Sequence, residues 1–265
     1  MDLGELFPSG DFRFHLTLRR VAPADFFAPR DPSGHLLAER RRWIDADPEL
    51  YVKLRPDGLA LLGEFLELAG AWMGEGREWP AGAEAMAEVG RAFEPDLLFL
   101  SPDASGQFRL RGGALCFPTG WALAEKIGQT LDEIHATVPG LNSALSVPIG
   151  QFLSRLKPGI AFLRDNWGLA ATDELNLHPS RRMPAPTPPC DLTRLWLRVE
   201  RQALVALPRT GGVVFGIRIE LHRLDRLRGT PAAGSLAQAL ATMPEAVAAY
   251  KRIAEVRREV AAQLA

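Results

Sequence analysis

The chain has 265 residues, of which 47% are hydrophobic, and its 31 lysines and arginines nearly balance 32 aspartates and glutamates. This length suits a folded protein with a sizeable core, and the neutral balance disfavours nucleic-acid binding through a general basic field. The two cysteines, Cys116 and Cys190, lie far apart, which excludes a zinc ribbon, a cysteine-ligated iron–sulfur cluster and a disulfide framework. Neither a membrane-length apolar run nor a signal peptide is visible, so we expect a cytoplasmic protein.

The first part of the chain reads as an irregular start followed by helices and strands. Residues 1–55 alternate aromatics, prolines and charges without a sustained period, which predicts an irregular segment that wraps around the rest. Apolar residues then recur at spacings of three and four, and this pattern predicts helices over 56–73 and 82–92. Strands are predicted over 97–100 and 108–117, because a Ser-Pro-Asp-Ala-Ser-Gly turn separates two apolar runs.

One predicted helix carries the first candidate site residue. The segment 120–136 has a helical pattern with Thr119 as N-cap, and it places Gly128 and His135 on the same apolar face. A neutral imidazole can ligate a metal, and a glycine lets a flat ring approach the backbone. The alternative is a core histidine bonded to a nearby carbonyl group, and spacing alone favours that alternative.

A polar strand is predicted next. After a helix over 148–157, the sequence FLRDNWGL is predicted to be extended, so that Arg164 and Asn166 share one face and Trp167 points to the other. An arginine in this position can clamp a carboxylate with two parallel hydrogen bonds, or it can pair with Asp165 or another surface acid.

A proline-rich loop over 179–191 leads to a predicted hairpin with strands near 194–207 and 212–222. If the hairpin loop holds three residues, Glu200 lies opposite Glu220 on a charged face of the sheet. The same register gives two further pairs, Gln202 with Arg218 and Arg198 with His222. Such a face is either simply solvated or forms a polar pocket wall that holds a cationic amine.

The C-terminus is predicted to be an amphipathic helix from Thr242 to about residue 263. Antiparallel strands mixed with flanking helices, without a regular strand–helix alternation, indicate the α+β class. We predict a single domain, in which 56–230 form the core and 231–265 supply the C-terminal helix. No nucleotide-binding glycine motif occurs in the sequence, so the chain is not expected to bind NAD or ATP itself.

Three segments, in this order, resemble the alpha subunit of the haem-dependent oxidative N-demethylases, the dimethylamine-demethylating family: GALCFPTGWALAEKIGQTLDEIHATVPGLN, FLRDNWGL and LWLRVERQALVALPRTGGVVFGIRIEL. The resemblance runs from about Trp43 to Leu221. It implies a PAS-like core that binds haem b and oxidises a small methylated amine with O2, releasing formaldehyde. It also implies a separate flavin and iron–sulfur reductase subunit, and the lack of a nicotinamide motif and of cluster cysteines in this chain agrees with that implication.

The resemblance also implies particular site residues. Carried over by motif, His135 becomes the axial ligand of the haem iron, in preference to a core histidine. Further cofactor contacts are expected from four residues, Arg164, Arg201, Gly128 and Trp167.

Two acidic residues are expected to act in catalysis. Glu200 is the hairpin acid expected to hold the amine, and Asp96 matches an acidic pair of the family that here reads Glu-Pro-Asp. The last hairpin strand reads Arg-Ile-Glu, ending at Glu220, where the family has Arg-Thr-Tyr. These departures, at Pro95 and Glu220, leave open a PAS-type haem or small-ligand sensor without turnover. A third alternative is a structural subunit whose charged hairpin face is an interface.

Overall fold

An antiparallel sheet organises the structure. The computed structural model describes residues 3–7, 10–73, 78–80 and 82–265. Within these residues seven strands form one sheet and eleven α-helices pack around it, which confirms the predicted α+β class. The PAS-like arrangement and the predicted division of the chain stay predictions. In the described part of the chain, no helix combines the length and the hydropathy that a bilayer crossing needs.

Every pair of neighbouring strands in the sheet runs antiparallel. The strands are β1 (Arg19–Val21), β2 (Val52–Leu54), β3 (Asp96–Pro102), β4 (Phe108–Ala114), β5 (Ala161–Ala170), β6 (Trp196–Leu207) and β7 (Gly212–Arg223). They lie side by side in the order β1-β5-β6-β7-β3-β4-β2. The predicted strands of the core are therefore present, including the extended FLRDNWGL segment within β5.

The helices lie on both faces of the sheet. They are α1 (Pro23–Phe27), α2 (His35–Ala46), α3 (Pro48–Tyr51), α4 (Leu59–Met73), α5 (Glu84–Ala92), α6 (Leu123–Lys126), α7 (Leu131–His135), α8 (Leu141–Leu153), α9 (Pro231–Thr242), α10 (Glu245–Tyr250) and α11 (Arg257–Leu264). The predicted helices over 56–73 and 82–92 correspond to α4, after one short 3-10 turn, and to α5.

The hydrophobic core has two layers because successive strand residues point to opposite faces. On the first face, Leu97 and Phe99 pack against α4 and α5. On the second face, Leu98 and Leu100 pack against α6, α7 and α8. The C-terminal helices cover the far end of the first face, where Val199 is buried with them.

The β6–β7 hairpin has a different register from the predicted one. Leu207 pairs with Gly212, so the loop holds four residues rather than three, and Gly211 takes the left-handed conformation with φ of 68°. Successive residues of a strand point to opposite faces of the sheet. One extra loop residue therefore shifts the pairing by one position, and each β6 residue lies opposite a β7 residue that was predicted to point to the other face. Glu200 therefore pairs with Ile219 and not with Glu220. The other two predicted pairs, Gln202 with Arg218 and Arg198 with His222, are wrong for the same reason.

The predicted helix over 120–136 is two short helices, α6 and α7. Gly128 lies between them at φ of 83°, a left-handed conformation that interrupts a right-handed helix. Thr130 then begins α7 through a capping box with Glu133, so Thr119 is not the cap. Gly128 and His135 consequently do not share one helix face as predicted.

Two other helix predictions are wrong in their bounds. Only residues 148–153 of the helix predicted over 148–157 belong to α8, which begins at Leu141, continues through Pro148 and ends at Leu153. The predicted C-terminal helix is divided into α10 and α11, because Arg252 takes a left-handed conformation with φ of 59°.

The first 55 residues are more regular than predicted, since they contain the twelve-residue helix α2 and two edge strands of the sheet. Arg40 explains why the helical pattern was hidden. Its side chain is fully buried on α2, where its Nη1 donates to the Asp96 carboxylate at 2.6 Å and its Nε to the Gly90 carbonyl at 2.7 Å. A buried arginine interrupts the apolar spacing by which an amphipathic helix is recognised.

We expect Arg40→Ala to lower the free energy of unfolding by roughly 3–5 kcal/mol, because the fully buried Asp96 carboxylate would lose its only ion pair among the described residues. Arg42→Ala, two residues away, removes an exposed pair with Glu39 and is expected to lower it by less than about 1 kcal/mol. Urea denaturation followed by circular dichroism measures both values. Equal values for the two variants would contradict the structural role of Arg40.

Candidate functional site

A cavity of about 560 Å³ lies at one end of the second face of the sheet. Its floor is formed by β5 and β6, and its walls by the turn 119–121, the proline-rich loop 177–186 and the segment 250–252 after α10. This volume falls within the range of cofactor and small-molecule sites. The proline-rich loop predicted from the sequence thus forms one wall of the candidate site.

Arg198 fixes the loops that form this cavity. Its side chain is 1% exposed on β6, and its Nε donates to the Thr119 hydroxyl at 2.9 Å. Its Nη2 donates to the carbonyls of Phe117 at 2.9 Å and Leu175 at 2.7 Å, and its Nη1 to that of Glu174 at 3.2 Å. Burial lowers the pKa of Arg198 to about 10, so the guanidinium keeps its charge at neutral pH. It is a buried cation bonded to neutral oxygen atoms.

Glu200 is the carboxylate that lines the cavity floor. It accepts hydrogen bonds from the Asn166 amide at 3.1 Å and from the Gln202 amide at 2.9 Å. Asn166 lies directly opposite Glu200 on β5, as the register of the two strands requires. Both donors are neutral, so the charge of Glu200 remains available to a ligand.

Lys251 is a cavity residue that the sequence analysis did not select. Its Nζ donates to the Trp167 carbonyl at 2.6 Å and lies 3.5 Å from Oδ1 of Asn166. Burial lowers its pKa to about 8, and the nearby Glu200 carboxylate opposes that shift. A single lysine within an amphipathic segment carries no sequence signal, because only the break after α10 turns it towards the sheet.

His135 ends α7 and is not among the residues that line the cavity. Its Nδ1 is buried and has no hydrogen-bond partner among the described residues. Burial first, and then the Arg164 guanidinium, lower its pKa to about 4, so the imidazole is neutral at neutral pH. The hydroxyl of Tyr250, which lines the cavity, bonds to Thr137 two residues further along the chain.

Arg164 lies on the same face of the sheet as Glu200. It pairs with Gln202 across the β5–β6 ladder, and its Nε is buried without a partner among the described residues. Burial lowers the pKa of Arg164, while the carboxylates of Glu200 and Asp165 oppose that shift. The structure therefore brings three predicted site residues to one region, namely His135, Arg164 and Glu200.

Arg201 and Trp167 alternate with these residues and point to the opposite face. The Nε of Arg201 lies 3.0 Å from a carboxylate oxygen of Glu220, and the ring of Trp167 packs against Phe7 with centroids 5.2 Å apart. Trp167 still reaches the cavity, because its backbone carbonyl binds Lys251 there.

Asp96 and Gly128 also lie apart from the cavity. The Asp96 carboxylate is fully buried, where the Arg40 guanidinium and the backbone amides of Cys116 and Phe117 occupy it. A Cβ atom on Gly128 would lie 3.2 Å from the Arg55 side chain, so this glycine faces Arg55 in a turn. The structure gives both residues structural roles.

Among the residues that the structure describes, no three His, Cys, Asp or Glu side chains gather closely enough to hold a bare metal ion. One family model, described as haem-dependent oxidative N-demethylase, alpha subunit-like, matches residues 38–261. The chain belongs to this family. The resemblance found in the sequence is thereby confirmed, and the match to the N-demethylase alpha subunit-like family includes β2 to β7 and every cavity segment.

We expect the stability of this N-demethylase-like protein to fall as the pH is lowered from 6.5 towards 4, in part through His135. The unfolded chain binds a proton near the ordinary histidine pKa of 6.5, whereas the folded protein binds it only near 4, so protonation favours the unfolded state in this window. Urea denaturation at about pH 7 and pH 5 measures the change. His135→Gln should show a smaller loss than the wild type, and an equal loss would contradict a neutral, buried His135.

Proposed function

We propose that the chain is a haem-binding monooxygenase subunit that removes a methyl group from a small methylated amine. The observation that carries this proposal is a pair of buried nitrogen atoms without a hydrogen-bond partner among the described residues, Nδ1 of His135 and Nε of Arg164. Arg164 interacts electrostatically with His135 and with the Glu200 carboxylate that lines the cavity. The family description supports a haem-dependent N-demethylation.

His135 is the residue that would hold the haem iron. A metal binds the neutral imidazole, and the low pKa of His135 keeps it in that form. A haem iron takes few ligands from the protein, so a single histidine is sufficient. Metal-bound histidines usually donate their other N–H to a carbonyl or carboxylate. Nδ1 of His135 lacks such a partner among the described residues, so no protein contact there occupies this nitrogen.

Arg164 fits a carboxylate of the cofactor. Its Nε has no hydrogen-bond partner in the part of the chain that the structure describes, and a guanidinium binds a carboxylate with two parallel hydrogen bonds. A haem propionate bound there would also offset the unfavourable burial of the cation. Arg201 fits this role less well, because Glu220 and Asp165 already surround it on the opposite face.

Haem, when bound, supplies the O2 chemistry that amine oxidation needs. The chain's own residues bind and orient the substrate. The Glu200 carboxylate accepts a hydrogen bond from the substrate N–H and directs the N-methyl group into the cavity. The overall reaction consumes O2, two electrons and two protons, and it yields the demethylated amine, formaldehyde and water.

The electrons come from another protein in this proposal. The two cysteines of this chain are far apart in sequence and free in the structure, and a flavin and iron–sulfur reductase subunit would supply the electrons. Dimethylamine as the substrate, haem b as the form of the cofactor and a cytoplasmic location remain predictions that follow from the resemblance and the sequence.

The sensor alternative was motivated by the departures at Pro95 and Glu220. Neither residue lines the cavity, and the Glu220 carboxylate pairs with Arg201 and His222 on the other face of the sheet. Those departures therefore lie outside the cavity lining, and we favour the enzyme because the family description is that of an N-demethylase.

We expect the haem-supplemented protein to show a Soret absorbance band that His135→Ala abolishes or shifts, because the axial ligand would be lost. His35→Ala, at the exposed start of α2, is the control and should leave the band unchanged. Absence of the band in the wild type, or the same band in His135→Ala, would refute the ligand assignment.

We also expect formaldehyde when the haem-loaded protein is supplied with an electron donor, O2 and a methylated amine. Glu200→Gln should lower kcat/KM roughly 10- to 100-fold, because a charged hydrogen bond to the amine would become a neutral one. Glu255→Gln, at an exposed position of the C-terminal loop, is the matched control. Haem binding without formaldehyde for any methylated amine would favour the sensor instead.

A further inference from the structure

The cavity is far more positive than a site for a simple ammonium ion should be. Among the described residues that line it, four carry a positive charge and one carries a negative charge. The cations are Arg182, Arg198, Lys251 and Arg252, and the acid is Glu200. A cation that entered without an anionic group of its own would meet net repulsion.

Among the described residues, the two inner cations, Arg198 and Lys251, form no ion pair, and the Glu200 carboxylate acts on both only at longer range. Their hydrogen bonds go to hydroxyl and carbonyl or amide oxygen atoms, which carry no net charge. Each of the three nitrogen atoms of Arg198 has a protein acceptor, so this residue contributes charge rather than direct contact. The Lys251 ammonium group has three N–H bonds and two protein partners, so one N–H remains for a ligand.

The two outer cations share a left-handed backbone conformation, which no other described residue apart from glycine adopts. Arg182 and Arg252 are the non-glycine residues with positive φ in the described chain, at 51° and 59°. They lie on opposite walls, Arg182 in the proline-rich loop and Arg252 after α10, and both are exposed. Each of these conformations ends a helix: Arg182 follows the 3-10 turn Pro179–Arg181, and Arg252 follows α10, where the Ile253 amide donates to the Ala248 carbonyl at 2.9 Å. The two helix ends thereby direct both arginines to the cavity walls.

We propose that this cavity binds a methylated amine that also carries a carboxylate, such as an N-methyl amino acid, in preference to a simple dialkylamine. The amine lies at Glu200, and the carboxylate lies at Lys251 and the two left-handed arginines. The identity of the amine end rests on the function proposed above, whereas the carboxylate end rests on the charges of the cavity alone. Arg182, Lys251 and Arg252 are therefore specificity-determining residues.

In this arrangement, each charged end of the ligand lies against cavity residues of the opposite charge. A zwitterion brings its own anion, so the ligand's carboxylate offsets the field that repels a lone ammonium ion. The carboxylate of a haem propionate has the same chemistry, and it is the other possible source of an anion at these cations.

Isothermal titration calorimetry on the haem-loaded and haem-free protein tests the proposal with N-methylglycine and dimethylamine as probes. We expect N-methylglycine to bind at least about tenfold more tightly than dimethylamine to the haem-loaded protein, as one charged hydrogen bond predicts. Arg252→Gly should weaken N-methylglycine binding by about tenfold without weakening dimethylamine binding, which the loss of a repelling cation can only favour, whereas Arg252→Lys, which keeps the charge, should retain most of the affinity.

Thermal unfolding separates this role from a structural one. Glycine adopts positive φ without steric conflict, so Arg252→Gly should melt at the same temperature as the wild type or above it. A lower melting temperature together with weaker binding of both probes would overturn the role of Arg252 as a specificity residue.

Two further results would overturn the proposal. One is equal affinity for N-methylglycine and dimethylamine in the haem-loaded protein. The other is N-methylglycine binding that haem loading abolishes, together with weaker haem binding by Lys251→Met and Arg252→Gly, because these cations would then hold the propionates. Failure of the proposed function is separate from both, since it appears as a missing Soret band while the haem-free protein still prefers N-methylglycine.

Discussion

A single buried guanidinium, that of Arg198, determines the shape of the candidate site. Transfer of a cation into the interior is unfavourable unless its donors are satisfied, and the Arg198 donors reach oxygen atoms of two loops that are distant in sequence. The turn after β4 and the loop after β5 are thereby fixed to the same point on β6. The two segments also bond to each other directly, because the Leu177 amide donates to the Pro118 carbonyl at 3.1 Å and the Gly120 amide to the Leu177 carbonyl at 3.2 Å. Together they form walls of the cavity over the Arg198 end of β6.

A second buried charge supports the first. The Asp96 carboxylate accepts the amides of Cys116 and Phe117, and the Phe117 carbonyl in turn accepts Nη2 of Arg198. Arg40 neutralises Asp96 from the N-terminal helix α2, so a segment far from the cavity determines how the turn beside it is held. Two charged side chains inside the cavity differ from the Arg40–Asp96 pair. Among the described residues, Glu200 and Lys251 make hydrogen bonds only to neutral groups, so their charges remain available for a ligand.

Much of the fold was predictable because it depends on local patterns. The apolar spacing of α4 and α5 and the turn-bounded apolar runs of β3 and β4 show directly in the sequence. The division of the predicted helix over 120–136 into two helices was not predictable. Its apolar spacing continues through Gly128, whereas the backbone at Gly128 is left-handed. The register of the hairpin was predicted wrongly for a similar reason. A loop of three residues and a loop of four have almost the same sequence signal, yet the first places Glu200 opposite Glu220 and the second places it opposite Ile219.

The sequence by itself determined the α+β class, the family and three side chains that the structure brings to one region, His135, Arg164 and Glu200. It determined these because strand alternation and short ordered motifs are local properties of the chain. Only the tertiary structure decided that Asp96 is occupied by Arg40, that Arg201 is paired with Glu220, and that Lys251 and Arg252 border the cavity. Those outcomes depend on burial and on contacts between distant segments, and such contacts leave no periodic signal in an amino-acid sequence.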